Sequence, residues 1–409
     1  MRTLKWLAVL ALALPWATGC STDEQLGASS LPATGELMRR YVAIGNSITA
    51  GFQSAGILDS TQRQSYAVLV ARAAGTNFAV PALNFPGCPP PFVNNLTMEL
   101  LGPPLPTGCA LRANDPLPPF FNNLAVPGAH VIDPLNNFDP TSNANPLTTF
   151  ILGGKTQVQA MIDADPTFVS VWIGNNDVLG ALTSLTNPGD PAEITPQATF
   201  EQSYGAILDA IDATGAKGIL LSVANVAVIP YASGGATYWC LKTGLCPGVP
   251  MGPFPPNFTV DVSCAPSAAV PSSQGENILV PWPIGITKLL TAAQGLPQTL
   301  DCTVDTDVVT PTELGGLLAA VTGFNTFIQA QANARGYAYL DVNPTLLEKV
   351  ASGEIPPFPS IPPDAPNSPL TFGPLFTLDG VHPSATAHRL VADSVISTIN
   401  QTFGTTMVF

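Results

Sequence analysis

Residues 41–52 read Tyr-Val-Ala-Ile-Gly-Asn-Ser-Ile-Thr-Ala-Gly-Phe, and the fold turns on how this stretch is taken. Positions 41–44 are uncharged and partly aromatic or β-branched, which predicts a short buried strand. Gly45 breaks the strand and Gly51 follows six positions later, so the chain turns sharply between them. Ser47 sits on that turn, just past the carboxyl end of the strand. In open α/β sheets the crevice beyond those ends is where ligands bind. A serine there is placed either to act as a nucleophile or simply to cap the next helix. Its partners elsewhere in the chain decide between the two.

The same grammar recurs along the chain. Short apolar runs at 122–126, 168–173, 218–223 and 337–342 read as four more strands. Helical spacing appears at 65–74, 155–164, 200–214 and 312–335, and a closing helix is predicted over 384–400. Strands that alternate with helices, each short and uniformly apolar, imply a parallel sheet covered on both faces. The predicted fold over 39–409 is a three-layer α/β/α domain with a five-stranded parallel sheet in flavodoxin-like order. A Pro-rich insertion at 78–121 and a Cys-rich insertion at 225–311 follow strand ends, on the side where a pocket would lie. A further Pro-rich loop occupies 354–374.

Only 10% of the 409 residues are charged, while 43 are proline and 35 glycine. This is the composition of a compact, loop-rich chain with ample core, too apolar for a disordered one. A formal charge of −14 argues against nucleic acid and anionic lipid surfaces as partners. Residues 1–19 have the form of a targeting segment, with Arg2 and Lys5 ahead of an apolar run at 7–14 that is too short to span a bilayer. Ala17-Thr18-Gly19-Cys20 resembles a bacterial lipoprotein signal. That implies cleavage before Cys20, lipidation of its thiol, and a tether over 20–38; ordinary secretion is the alternative. By the same resemblance, Ser21 in place of Asp implies the outer membrane. The mature chain would carry twelve cations against 28 acidic groups, a net −16.

Six cysteines remain: Cys88, Cys109, Cys240, Cys246, Cys264 and Cys302. An even number in an exported chain predicts three disulfides. Cys88 and Cys109 bracket one loop and are expected to pair. The other four leave three pairings open. With no C-x-x-C, a metal site is the weaker reading, and none is expected.

The chain has three histidines: His130, His382 and His388. His382 follows Asp379 by three positions, on the loop before the last helix. At that spacing a carboxylate can hold one ring nitrogen while the other faces a nucleophile. A capping Asp beside a surface His is the plainer alternative. His130 is expected in a structural or rim role and His388 on the solvent side of its helix. Asp177 is expected to position Asn176 by local hydrogen bonds. Trp239, Trp282, Phe254 and Phe258 are expected to form a small core within the second insertion.

Taken together, four separated pieces resemble the SGNH hydrolase superfamily of GDSL-type lipases and esterases. Gly45-Asn46-Ser47-Ile48 is similar to the nucleophile block and Asn123-Leu124-Ala125-Val126-Pro127-Gly128 to the second block. Gly174-Asn175-Asn176-Asp177 and Asp379-Gly380-Val381-His382 are similar to the third and last. The resemblance implies Ser47 as nucleophile, His382 as base and Asp379 as its acidic partner. It further implies an oxyanion hole made by Ser47, Gly128 and Asn176, acting on a small-molecule or lipid carboxylic ester without metal or cofactor. A monomer is expected. Asn46 and Ile48 depart from the family's usual Asp and Leu, at positions that do not carry the reaction. Two other functions fit the same residues: O-deacetylation of a surface glycan, and a non-enzymatic surface lipoprotein with a remnant site.

Overall fold

Residues 33–103, 118–136 and 151–408 are described in the computed structural model of the protein. Four parallel strands make the central sheet: β1 (Tyr41–Gly45), β2 (Phe168–Trp172), β3 (Lys217–Leu221) and β4 (Ala338–Leu340), side by side in that order. The segment expected as a fifth strand, 122–126, does lie along the free edge of β1. Around an isolated parallel bridge between Ala43 and Asn123, three main-chain bonds join it to β1: Ala43 N–H to the Asn122 carbonyl (2.8 Å), Leu124 N–H to the Ala43 carbonyl (2.9 Å) and Val126 N–H to the Gly45 carbonyl (3.2 Å). Side chains explain why the ladder goes no further. The Asn122 amide donates to the Tyr41 carbonyl (2.8 Å) and the Gln157 side chain accepts from the Gly45 N–H (2.9 Å), so side chains take over the two ends of the ladder, while the Asn123 amide reaches the Thr49 carbonyl (2.8 Å). Counting that edge segment, the chain order across the sheet is 2-1-3-4-5, the flavodoxin-like arrangement, with its switch point beside β1.

The labelled helices are α1 (Ser47–Ala50), α2 (Tyr66–Ala73), α3 (Gln157–Ala164), α4 (Asn176–Thr183), α5 (Gln197–Thr214), α6 (Trp282–Ala293), α7 (Pro311–Arg335) and α8 (Ala385–Phe403). Strand alternation sorts them into two layers. Val42, Ile44, Val169, Val171 and Leu220 face α3, α4, α5 and α7. Tyr41, Ala43, Phe168, Trp172, Ile219 and Leu221 face α2 and α8. Caps set several helix ends. Thr310 and Glu313 form a capping box at the start of α7, and Gly336 (φ 64°) closes it.

Two expectations are corrected here. His388 is fully buried rather than solvent-facing, because it shares the α8 stripe of Ala392, Val395 and Ile399 that packs on α2. Its Nδ1 accepts from the Tyr66 N–H at 3.3 Å, and burial lowers its pKa to about 3, so it stays neutral. The end of the expected tether is also ordered: Ala33–Leu37 is helical and Met38 is buried in the layer beneath α8. Residues 1–32, with Cys20 and the signal, lie outside the described residues.

The second insertion has more structure than its sequence suggested. It holds the helix Gly235–Thr243, α6 and four short strands. The four open cysteines pair as Cys240–Cys246 and Cys264–Cys302. Phe254 and Phe258 meet edge to face at 5.3 Å, but they do not form the separate small core expected: with Trp239 and Trp282 they are part of the one continuous core that also covers the Val42, Ile44 and Val171 face of the sheet. The expected Cys88–Cys109 pair involves Cys109, which lies outside the described residues. Among the described residues no helix is long and apolar enough to cross a membrane.

Candidate active site

The turn that carries Ser47 is built on Gly45. Its N–H and C=O are both taken by the Gln157 side chain from α3, at 2.9 and 3.0 Å. A Cβ at Gly45 would lie 2.3 Å from Thr49 Oγ1 and 2.8 Å from the Trp172 carbonyl, so no larger residue fits without movement. Asn46 then caps α1 by accepting from the Ile48 N–H at 3.2 Å. The asparagine side chain thus performs the cap that an aspartate would give. Ser47 becomes the first residue of α1 and keeps 6% of its surface exposed.

The second element is the Pro127-Gly128 turn. Ala129 N–H donates to the Val126 carbonyl at 3.1 Å, and Gly128 sits at φ 83°, the third position of a type II turn. Only glycine enters that conformation without strain. Asn176 opens α4, and one of its two amide hydrogens goes to the Ala129 carbonyl at 2.8 Å. This fixes the amide beside the turn and leaves its second hydrogen for a ligand. Among the described residues, neither the Ser47 N–H nor the Gly128 N–H donates to any protein acceptor.

Asp177 works on the turn rather than on the Asn176 amide. Its buried carboxylate accepts from the Val131 N–H (2.9 Å) and the Thr195 hydroxyl (2.7 Å). Burial pushes its pKa up to about 7, against the pull of those two bonds and with a push from Asp133. His130 stands on the same turn at the rim. Its N–H donates to Asp133 at 2.7 Å and its ring lies 3.9 Å from the same carboxylate.

The loop that carries Asp379 and His382 is a tight hairpin, closed by a bond from the Thr377 N–H to the His382 carbonyl (2.9 Å) and turned at Gly380 (φ 70°). Asp379 Oδ2 meets His382 Nδ1 at 2.8 Å. Oδ1 accepts from the Val381 and His382 N–H groups, both at 2.9 Å, and from the Thr377 hydroxyl at 3.1 Å. Burial alone would raise the Asp379 pKa. The attraction of His382 and these donors outweigh it and hold the carboxyl down to about 2. With Nδ1 on Asp379, Nε2 is the ring nitrogen left for a nucleophile. The flanking Val381 and Pro383 line an apolar cavity of about 110 Å³, shared with Ile48, Trp172 and Leu390.

The two ends of the chain are joined directly. Ser54 N–H donates to Thr377 Oγ1 (2.9 Å) and Ala55 N–H to Asp379 Oδ2 (2.7 Å). Both donors have left-handed backbones, at φ 52° and 58°, without being glycine. Such a conformation costs roughly 1–2 kcal/mol per residue, and here it aims successive N–H groups at the acid–base loop. Phe52 packs on the His382 ring at 4.8 Å between centroids. The segment that begins at Ser47 therefore ends on Asp379 and His382. Gln157, Ser54, Ala55 and Thr377 are site residues that the sequence reading missed. Only the Thr-x-Asp spacing of Thr377 offered any local signal.

No protein-family model and no curated protein sequence matches the chain. Several solved structures do match. A catalytic mutant of Axe2, an acetylxylan esterase from Geobacillus stearothermophilus, aligns over 90% of this chain and 95% of its own at 12% identity, with a TM-score of 0.38. The acetyl xylan esterase AlAXEase aligns over 88% and 99% at 13% identity (TM-score 0.36). The esterase EstA from Pseudoalteromonas sp. aligns over 88% and 97% at 10% identity (TM-score 0.35).

Proposed function

We propose that the chain is a serine hydrolase of the SGNH type that cleaves carboxylic esters through an acyl-enzyme on Ser47. The observation that carries this reading is the Asp379–His382 pair, joined at 2.8 Å and bonded through Ala55 to the segment that starts at Ser47. His382 Nε2 takes the proton of the Ser47 hydroxyl as its oxygen attacks the ester carbonyl. The imidazolium so formed is steadied by Asp379, whose low pKa keeps it ionised across the working range. The tetrahedral oxyanion is received by the unpartnered N–H groups of Ser47 and Gly128 and by the second amide hydrogen of Asn176. His382 returns its proton to the leaving alcohol, and a water activated by the same nitrogen releases the acid. No step in this route calls for a metal or an organic cofactor.

Asn176→Ala tests the oxyanion assignment. It is expected to lower kcat by about 10²–10³-fold, with KM little changed, because the donor matters only once negative charge develops. An unchanged kcat would remove Asn176 from the mechanism. The acid and alcohol halves of the substrate are set by kinetics on an acyl-length series of esters. Strict acetyl preference would favour O-deacetylation of a glycan, and acceptance of long chains a lipid ester.

We further propose that the mature chain is exported and held on a membrane by lipid at Cys20. Support comes from the signal-like residues 1–20 and from two disulfides, which persist in oxidising compartments. Cys20→Ser is expected to move the protein from the membrane to the soluble fraction of the cells that make it. Retention of the variant on membranes would count against the anchor.

A further inference from the structure

The sequence placed Trp282 in a small core of its own insertion, but its polar atom leaves that insertion. Trp282 starts α6, directly after the short strand Leu279–Pro281, and its backbone N–H is held by the Tyr231 carbonyl at 2.8 Å. The indole is buried, and its Nε1–H donates to the backbone carbonyl of Asp379 at 3.2 Å. Among the described residues this is the one hydrogen bond between 225–311 and the acid–base hairpin. The ring also packs on Phe372, at 5.8 Å between centroids. Phe372 in turn sits beneath Gly380, where an added Cβ would lie 3.0 Å from its ring.

The residue that carries the carboxylate is therefore held on both sides. Its side chain takes its donors from Ala55, Thr377, Val381 and His382. Its main-chain carbonyl takes the indole, and the next residue lies on Phe372. A buried carbonyl stripped of its donor costs about 1–3 kcal/mol. A turn can avoid that cost by rotating its peptide toward water, and that rotation would swing the Asp379 carboxylate off His382.

Resting on the serine-hydrolase reading above, we propose that Trp282 is a positioning residue for the Asp379–His382 pair. The second insertion is then a fixed part of the catalytic scaffold and not a lid. Cys264–Cys302 and the paired strands of the insertion keep the start of α6 in place, and Trp282 transmits that placement to the hairpin.

Two replacements at 282 remove the donor and keep an aromatic body: Trp282→Phe, and benzothienylalanine, in which sulfur takes the place of the N–H. Each is expected to lower kcat for a short p-nitrophenyl ester about tenfold, with KM within twofold, since a small misplacement acts on the chemical step. In an Asp379→Ala background the same replacements are expected to add no further loss, because the group being aimed is gone. A kcat within twofold of the parent in a folded 282 variant overturns the proposal. So does an undiminished loss when Asp379 is already alanine. Ser47→Ala assayed alongside separates the two levels: full turnover there removes the serine reading itself. An inactive Ser47→Ala with a fully active 282 variant removes only the role of Trp282.

Discussion

Ser47→Ala is expected to lower kcat for a short p-nitrophenyl ester by at least about 10⁴-fold while leaving thermal unfolding close to that of the parent. The two halves of that expectation have separate physical grounds. Chemically, alanine removes the only oxygen at the amino end of α1 that the proposed route can acylate, and neither His382 nor the oxyanion donors can substitute for it. Structurally, little depends on the hydroxyl. The α1 cap comes from Asn46, and the strand end is gripped by Gln157. The Ser47 side chain makes no hydrogen bond among the described residues. Alanine is also the best helix former, so the first turn of α1 loses nothing. Steady-state kinetics, a melting curve and labelling with a fluorophosphonate check all three points. Parent-like turnover, or a label that remains after the substitution, would falsify the assignment of Ser47 as nucleophile. An unlabelled parent would instead favour the remnant site of a non-enzymatic lipoprotein.

The fold was legible in the sequence wherever one local signal decided it. The four ladder strands are apolar on both faces, as a covered parallel sheet demands, and their runs stand out against polar turns. Gly336 marks the end of α7, and the expected start at 312 falls one residue inside the start that the Thr310–Glu313 capping box sets. Legibility fails where long-range bonds override local pattern. The run at 122–126 does bond along β1 as its hydropathy suggests, but the Asn122 amide on Tyr41 and the Gln157 side chain on Gly45 cut its ladder short. His388 reads as polar and hence exposed, while its spacing to Ala392, Val395 and Ile399 already placed it on the buried stripe. There periodicity was the better guide than residue type.

The site divides in the same way. Asp379 and His382 are three apart and could be matched by spacing; Ser47, Gly128 and Asn176 came from their motif blocks. The residues that hold them in place could not be read, because each contact has a main-chain group at one end and a distant residue at the other. Gln157 grips a glycine 112 positions away, Ala55 meets a carboxylate 324 positions away, and Trp282 bonds a carbonyl 97 positions away. A main-chain acceptor leaves no mark on the sequence that surrounds it. Such supporting contacts show only in the fold, whereas the candidate reacting groups are visible in spacing and motif.

Asp379→Asn is expected to lower kcat by about 10³–10⁴-fold and also to change how stability depends on pH. The amide nearly preserves volume, so the loss isolates charge and hydrogen-bond polarity. Five donors converge on the two carboxylate oxygens: Ala55, Val381 and His382 N–H, the Thr377 hydroxyl and His382 Nδ1. An asparagine offers them one oxygen and turns an NH₂ toward the rest. His382 then loses both the acceptor that fixes its tautomer and the charge that steadies its imidazolium. The stability arm follows from linkage. The Asp379 pKa is depressed from its ordinary value near 3.8 to about 2 in the folded protein. Its contribution, roughly 2 kcal/mol, is therefore fully present above pH ~4 and is lost as the pH falls toward ~2. Chemical denaturation of the parent between pH 5 and 2 should show that decline, and the Asn variant should show a shallower one from a lower plateau. If the variant keeps the parent's acid sensitivity, the carboxylate that titrates is not Asp379. If its kcat falls by less than about tenfold, His382 is oriented by the hairpin backbone alone and the carboxylate has no part in the chemistry.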